Sequence, residues 1–240
     1  MSASDAETPL PAAHRARPCG GARVNGKRLF DIALALVLLV PGLPAIAVVS
    51  ALILTRDGWP AFYGSERMRA PGRPFTLWKF RTMMVDEGPE LGVSGGDKAH
   101  RITPLGRALR RTRLDELPQL FNVLRGDMSF VGPRPPTRHY VERFPDLYAE
   151  VLHCRPGITG LASVFFHAHE EWLLRGTRTA AETDAIYVRR CVPRKAALDL
   201  IYRDRQSFAL DLWLIYLTAG KLLPLPGRRL ARLKAKSRRV

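Results

Sequence analysis

An apolar run of 26 residues, Leu29 to Leu54, limits what this chain can become more than any other feature, and its only charge is Asp31. About 20 helical residues cross a bilayer, so the run is long enough to span one. Pro41-Gly42-Leu43-Pro44 stands at its middle. Pro44 has no N–H for the helix ladder, and its ring crowds the preceding turn. A helix broken there enters the membrane and returns to the same face, and this re-entrant hairpin is the favoured reading. A plain transmembrane helix stays open as the alternative, because proline-kinked helices also span. Lys27 and Arg28 precede the run and Arg56 follows it, so both flanks are basic. A single span would show asymmetry in its basic flanks, whereas a hairpin with both ends in the cytoplasm needs none. A cleaved signal peptide fits poorly, since the run is too long and carries no cleavage-site pattern.

The rest of the chain arranges itself around that anchor. Residues 1–26, rich in Ala, Pro, Gly and Arg, read as a disordered tail. Residues 27–56 form the anchor, 57–220 a cytoplasmic domain, and 221–240 a basic tail. That tail holds eight Lys/Arg and no acid, so it is either drawn to anionic lipid or simply solvated. Residues 61–63 and 74–80 are β-prone around Ala70-Pro71-Gly72-Arg73, which predicts a hairpin. Residues 86–100 read as a loop. Residues 104–124 are helical in character but punctuated by Pro118, and 126–136 carry too many prolines and glycines for regular helix. Two short helices are expected at 179–190 and 195–203, divided by Pro193. Residues 207–223 are apolar and aromatic but interrupted by Asp211, which suits a helix at the headgroup level. The predicted fold is α+β, mainly α: a compact membrane-associated domain with a re-entrant N-terminal helix, a small β-hairpin and interfacial amphipathic helices.

A formal net charge of +16 points to an anionic partner, whether nucleic acid, acidic lipid or a phosphorylated small molecule. A nucleic-acid binder leaves the apolar run unexplained, and no nucleic-acid motif is visible. Cys19, Cys154 and Cys191 are odd in number and widely spaced. They suggest neither a disulfide framework nor a zinc site, and so a reduced, cytosol-facing domain.

The chemistry concentrates between Arg110 and Pro135, which read R-R-T-R-L-D-E-L-P-Q-L-F-N-V-L-R-G-D-M-S-F-V-G-P-R-P. A bare Asp-Glu pair is most often a surface feature of a helix start. Here Asp115 and Glu116 lie among Arg110, Arg111, Arg113 and Arg134, a setting suited to phosphorylated substrates. Arginine forks hold phosphate oxygens, one carboxylate can attack phosphorus, and the other can hold a divalent cation. Pro118 is tolerated in a first helical turn, so Asp115 is expected at or just before a helix N-terminus. Free N–H groups there would lower its pKa and favour phosphate. Lys79 and Arg81, in Trp78-Lys79-Phe80-Arg81-Thr82-Met83, and Arg134, fixed between Pro133 and Pro135, complete the candidate phosphate contacts. Asp127 is either a further metal or phosphate residue or a turn cap. Gln119 and Asn122 read as scaffold hydrogen-bonders.

This block closely resembles the signature of the bacterial sugar transferases, the monotopic phosphoglycosyl transferases. The resemblance extends to the K-F-R-T-M element and to Arg155-Pro156-Gly157-Ile158-Thr159-Gly160-Leu161-Ala162. It continues through Pro193-Arg194-Lys195, Leu198-Asp199, Tyr202, Ser207 and Asp211, covering about residues 27–218. It implies transfer of a sugar-1-phosphate from a UDP-sugar to undecaprenyl phosphate, releasing UMP and initiating exopolysaccharide or other glycan assembly. Asp115 would be the nucleophile and Glu116 the Mg²⁺ ligand. Lys79, Arg81, Arg110 and Arg134 would bind substrate, with Arg134 at the nucleotide. It also implies a bacterial inner-membrane location with the catalytic domain in the cytoplasm, a proline-broken re-entrant anchor, contact with anionic lipid and no nucleic acid. A homo-oligomer is open. With 26 residues before the anchor at Lys27, the likeness is to the minimal form of the family. Three departures are plain: Arg69 for the usual Gly, Ser163 for the usual Gln, and Phe165-Phe166-His167-Ala168-His169-Glu170-Glu171 for the V-N-G continuation. They bear on the identity of the substrate. His167, His169 and Glu170 lack the i, i+4 histidine pair of helical zinc sites, and read as part of a lid or sugar-contacting loop.

Overall fold

The structure, a computed structural model, describes residues 21–85 and 96–222. Most of the expected 86–100 loop and nearly all of the basic tail lie outside the described residues.

Helix α1 (Gly21–Arg56) differs from expectation at two places. It begins inside the segment read as a tail, and it runs unbroken through Pro41 and Pro44. Both prolines are on the exposed side. The opposite side packs continuously: Asp31, Ala35, Leu39, Gly42, Ile46, Val49 and Ile53 are buried in steps of three or four residues. That packing carries the helix past the two lost ladder bonds. The outer face leaves Leu36, Val37, Val40, Leu43 and Val48 exposed. By length and composition α1 is apolar enough to cross a membrane.

Both ends of α1 are fastened to the rest of the molecule. Strands β1 (Phe62–Ala70) and β2 (Arg73–Phe80) form the expected antiparallel hairpin, closed at Gly72 with φ 69°. Just after β2, the Arg81 guanidinium donates to the carbonyls of Asp57, Gly58 and Trp59, which follow α1. At the other end, Arg28 donates to the carbonyls of Val123 and Leu124 in α3 (Gln119–Arg125). Asp31 accepts the amide of Phe130 at 3.2 Å. Lys27 meets Asp211 at 2.5 Å, and Asp211 also accepts from the Tyr202 hydroxyl at 2.7 Å. The acid that interrupts the C-terminal apolar run is therefore a buried partner of the first turns of the described α1.

Between these anchor points, α2 (Pro104–Thr112), a 3₁₀ turn (Leu114–Glu116) and α3 cross beneath α1. Strand β3 (Ser129–Val131), α4 (Arg138–Arg143), α5 (Pro145–Val151) and β4 (Gly157–Thr159) follow. β3 and β4 pair in parallel, each only three residues long, too short to leave a periodic signal. Then come α6 (Leu161–Phe165), α7 (His167–Leu174), α8 (Ala180–Ile186), a π turn (Tyr187–Cys191), α9 (Val192–Arg205) and α10 (Phe208–Leu222). Pro193 stands in the first turn of α9, where its missing N–H costs nothing, and so divides the two expected helical stretches. Residues 165–171 are largely helix, not loop.

The core has three parts. α1, α3, β3, α9 and α10 close on Val123, Met128, Tyr202 and Leu214. Tyr140, Val151, Cys191 and Ala196 pack under α4, α5 and α9. Ile53, Phe80 and Leu109 join the C-terminal half of α1 to β2 and α2. Cys191 is a free buried thiol.

Asp199 of α9 is buried with one carboxyl oxygen lacking a partner. Burial pushes its pKa up to about 7; Lys195 opposes the rise and Glu170 adds to it. An unfolded Asp titrates near ~3.9, so the folded chain binds more protons between that pH and about 7. Stability from this group therefore falls as pH rises through the window. Asp199→Asn should melt above the parent at pH 8 and converge with it near pH 4, measured by thermal denaturation in detergent. A gain of equal size at both pH values would show that this carboxyl does not titrate there.

Candidate active site

The turn that carries the two acids is set by Arg113, which caps α2 in the left-handed region at φ 58°. A non-glycine residue there costs on the order of 1 kcal/mol. It swings the chain out of α2 into the 3₁₀ turn. Within and after that turn the amides of Glu116, Leu117, Leu120 and Phe121 are spent on the carbonyls of Arg113, Leu114, Leu117 and Pro118. Asp115 thus sits just before α3, as the position of Pro118 suggested, but four of the amides around it are already spent. Its surroundings are made by side chains.

The two acids have different environments. Asp115 is buried, and its Oδ1 has no hydrogen-bond partner. Burial, then the neighbouring Glu116 charge, push its carboxyl above the usual range, while Arg110, Arg113 and Lys79 pull the other way. Its pKa is thus raised, opposite to the expected direction. Glu116 Oε1 accepts from Arg113 Nη1 at 2.9 Å and from Arg134 Nη2 at 3.2 Å. Burial alone would raise Glu116, but the Arg134 and Arg113 charges outweigh it and hold its carboxyl below the ordinary value. One acid is held as a carboxylate, and its neighbour keeps an unpaired oxygen.

The arginines differ in what they do. Arg110 Nε donates to Thr82 Oγ1 at 2.8 Å, which ties α2 to the end of the hairpin. Burial lowers its pKa and Asp115 opposes the shift. Arg134 rides on a loop clamped by backbone bonds from Gly132 N to Thr159 O and from Gly157 N to Pro133 O, both 2.9 Å. A Cβ on Gly157 would lie 2.1 Å from the Gly132 nitrogen, so only glycine allows that approach. Lys79 lies over the Tyr63 ring at 4.9 Å and within electrostatic reach of Asp115. Arg81 is not brought to the acids: its buried guanidinium is committed to the carbonyls after α1. Arg111 is exposed. Asn122 accepts the Trp78 amide and donates to Thr76 O, pinning α3 to β2 in the scaffold role expected of it. Asp127 closes the turn after α3, its amide bonded to Asn122 O and its carboxylate near Asn122 Nδ2.

A cavity of about 450 Å³ opens beside the pair. One wall is the middle of α1, with Leu38, Pro41, Gly42 and Ala45; the other end is polar, with Arg113, Glu116, Ser163, His167 and Lys221. Lys221 was hidden from sequence reasoning by its place in a basic tail. The Lys221 amine donates to Val164 O, which fixes the end of α10 at the rim. The His167, His169 and Glu170 side chains diverge. His167 faces the cavity, His169 meets Arg194 at 3.1 Å, and Glu170 pairs with Lys195 at 2.8 Å. Among the described residues no group of three or more His, Cys, Asp or Glu is arranged to hold a metal by itself. Mg²⁺ asks less, because it commonly takes one or two carboxylates and completes its shell with substrate phosphates and water. The adjacent acids, one of them with an oxygen lacking a hydrogen-bond partner, fit that demand.

Residues 22–224 match the model of the bacterial sugar transferase family. The uncharacterized sugar transferase EpsL of Bacillus subtilis is 37% identical over 201 residues, 84% of this chain and 89% of that protein. A UDP-glucose:undecaprenyl-phosphate glucose-1-phosphate transferase of Caulobacter vibrioides is 37% identical over 203 residues, 82% of this chain and 69% of its own. An enzyme of the same name from Klebsiella pneumoniae is 35% identical over 207 residues. The match takes in 85% of this chain but only 41% of the Klebsiella protein.

The contrast between Arg81 and its neighbours can be measured. Removing a hydrogen bond from a charged donor costs about 1.5–3 kcal/mol, and for a chain of this size each kcal/mol moves Tm by about 2–4 °C. Arg81→Ala should therefore lower the melting temperature by roughly 5 °C or more. Lys79→Ala should move it far less. An Arg81→Ala protein that melts with the parent would remove the structural role assigned to this guanidinium.

Proposed function

This chain belongs to the bacterial sugar transferase family, and from that membership we propose that it moves a sugar-1-phosphate from a UDP-sugar to undecaprenyl phosphate. The observation that carries this reading is the site's composition. A buried carboxylate with an unpaired oxygen, ringed by Arg110, Arg113 and Lys79, lies beside a cavity whose far wall is the apolar helix α1. A soluble dianionic donor and a lipid-borne phosphate need such a meeting place.

The reaction runs in two displacements. An Asp115 carboxylate oxygen bonds to the β-phosphorus of the UDP-sugar while the P–O bond to UMP breaks, and the electron pair leaves with UMP. An oxygen of undecaprenyl phosphate then attacks that phosphorus, and Asp115 departs as a carboxylate. Lys79 and Arg110, on the Asp115 side, bind the donor phosphates; Arg134 contacts the nucleotide. Arg113 reaches both acids and so steadies charge in both steps. Glu116 would hold Mg²⁺, and the ion would supply positive charge against the donor's pyrophosphate. The names of the relatives, which specify undecaprenyl phosphate and glucose-1-phosphate, support this donor and acceptor class.

Membrane attachment follows the same logic. The exposed apolar face of α1, with Phe208, Trp213 and Tyr216 of α10 also exposed, exceeds what a soluble monomer usually leaves bare. We read α1 as entering the inner membrane and returning to the cytoplasmic face, its continuous helix kinked without a break at Pro41 and Pro44. Attachment of both its ends to one domain supports that reading. Cysteines introduced at Gly26 and Arg56 should react with an impermeant thiol reagent only from the cytoplasmic side. Labelling of one of them from the periplasm would establish a span instead.

Detergent-purified protein with Mg²⁺ should release UMP from at least one UDP-sugar, with ping-pong kinetics toward undecaprenyl phosphate, and Asp115→Asn should release none. Sequential kinetics with an active Asp115→Asn would rule out the covalent intermediate. Glu116→Gln should shift the Mg²⁺ requirement upward and slow turnover by 10-fold or more, on the order of the loss of one charged contact in a site. A magnesium titration identical to the parent's would remove Glu116 from the metal.

A further inference from the structure

Ser163 and His167 stand one helical turn apart, Ser163 in α6 and His167 at the start of α7, and both line the cavity beside the acid pair. Neither side chain hydrogen-bonds to a described residue, and His167 Nε2 lies 3.6 Å from Glu171 Oε1. Both side chains are partly exposed at the cavity, so their hydrogen-bonding capacity is open to a ligand seated there.

The chemistry of that ligand follows from the charge of the two side chains. Under the proposed function the donor phosphates are met by Arg110, Arg113, Lys79 and Arg134. Ser163 is neutral at any pH of interest. The charged groups turned toward His167 are Arg113 and Glu116 of the 3₁₀ turn, Arg134 of the clamped loop, Glu170 and Glu171 of its own helix, and Lys221 of α10. Burial, then Arg113 and Arg134, lower its pKa against the pull of Glu171 and Glu170, which favours the neutral imidazole. A neutral imidazole donates at one nitrogen and accepts at the other, and a serine hydroxyl does both. Such a pair both donates to and accepts from hydroxyl or acetamido groups, whereas phosphate oxygens only accept and would leave its acceptor capacity unused.

We propose that Ser163 and His167 select the transferred sugar by hydrogen-bonding to its ring substituents. The inference rests on the transferase reading above. Both residues also lie where this sequence departs from the pattern of its family, which is where a particular choice of sugar would be recorded. The apolar wall contributed by α1 stays with the lipid, so the sugar is seated between the acid pair and the α6–α7 wall.

The test is kcat/KM for UDP-glucose, UDP-galactose, UDP-N-acetylglucosamine and UDP-N-acetylgalactosamine with the parent, Ser163→Ala, His167→Ala and His167→Gln. The preference for the best donor over its closest competitor should fall about tenfold in either alanine variant, the size of one lost neutral hydrogen bond in a binding site. His167→Gln, still a neutral hydrogen-bonder, should recover part of it, and KM for undecaprenyl phosphate should stay put. Damage to the fold lowers every donor alike and leaves the ratio untouched, so it cannot mimic the expected result. Ratios unchanged in all three variants overturn the assignment. A change confined to the acceptor KM also overturns it, by placing the pair on the lipid phosphate. No UMP from any of the four donors with the parent protein would instead sink the transferase reading, and this inference with it.

Discussion

The attachment of α1 at both ends is the constraint on which the other features depend. Arg28 holds its first turns to the carbonyls of α3, and Arg81 holds its last to the end of the hairpin. Between them a single buried stripe packs against β2, α2 and α3. The apolar helix is therefore a wall of the domain as well as its candidate anchor. Its midpoint, with Pro41 and Gly42, faces the cavity beside Glu116. A site for a soluble phosphate donor is thereby fixed against the part of the molecule best suited to hydrocarbon.

The same economy governs the charges. Of the cations clustered by sequence around Asp115 and Glu116, the fold uses some to build and leaves others at the acids. Arg81 and Arg28 are consumed by carbonyls, and Asn122 ties α3 to the hairpin. Arg113 and Arg134 share one oxygen of Glu116 and keep that acid ionised. Asp115, one residue away, receives electrostatic support without a hydrogen bond to Oδ1. An unpaired buried oxygen is destabilising unless a ligand completes it, which is why its neighbourhood reads as a binding site.

Much of the site was legible because its members are close in sequence. Asp115, Glu116, Arg110 and Arg113 fall within one turn and its flanks, and the prolines around Arg134 announce a fixed side chain. What was misjudged involved partners distant in the chain. Arg81 looked like a phosphate ligand because its partners, the carbonyls of residues 57–59, are backbone atoms that no side-chain pattern encodes. The amides near Asp115 were expected to be free, but the left-handed Arg113 produced a 3₁₀ turn that used them. Ser163, His167 and Lys221 come from three helices and share a cavity only after α6, α7 and α10 pack. The parallel pairing of β3 and β4 was invisible because three residues carry no period.

The sequence by itself determined the apolar helix, the hairpin, the acid pair with its cations and the family. Each of these is written in local composition, periodicity or an ordered motif, and each survives without knowledge of distant contacts. Tertiary structure decided which arginines build and which serve the site, that α1 continues past its prolines, and that Asp115 is raised while Glu116 is lowered. The reason is physical: burial and charge act through space, with strength set by distance and dielectric, and neither quantity exists until the chain has folded.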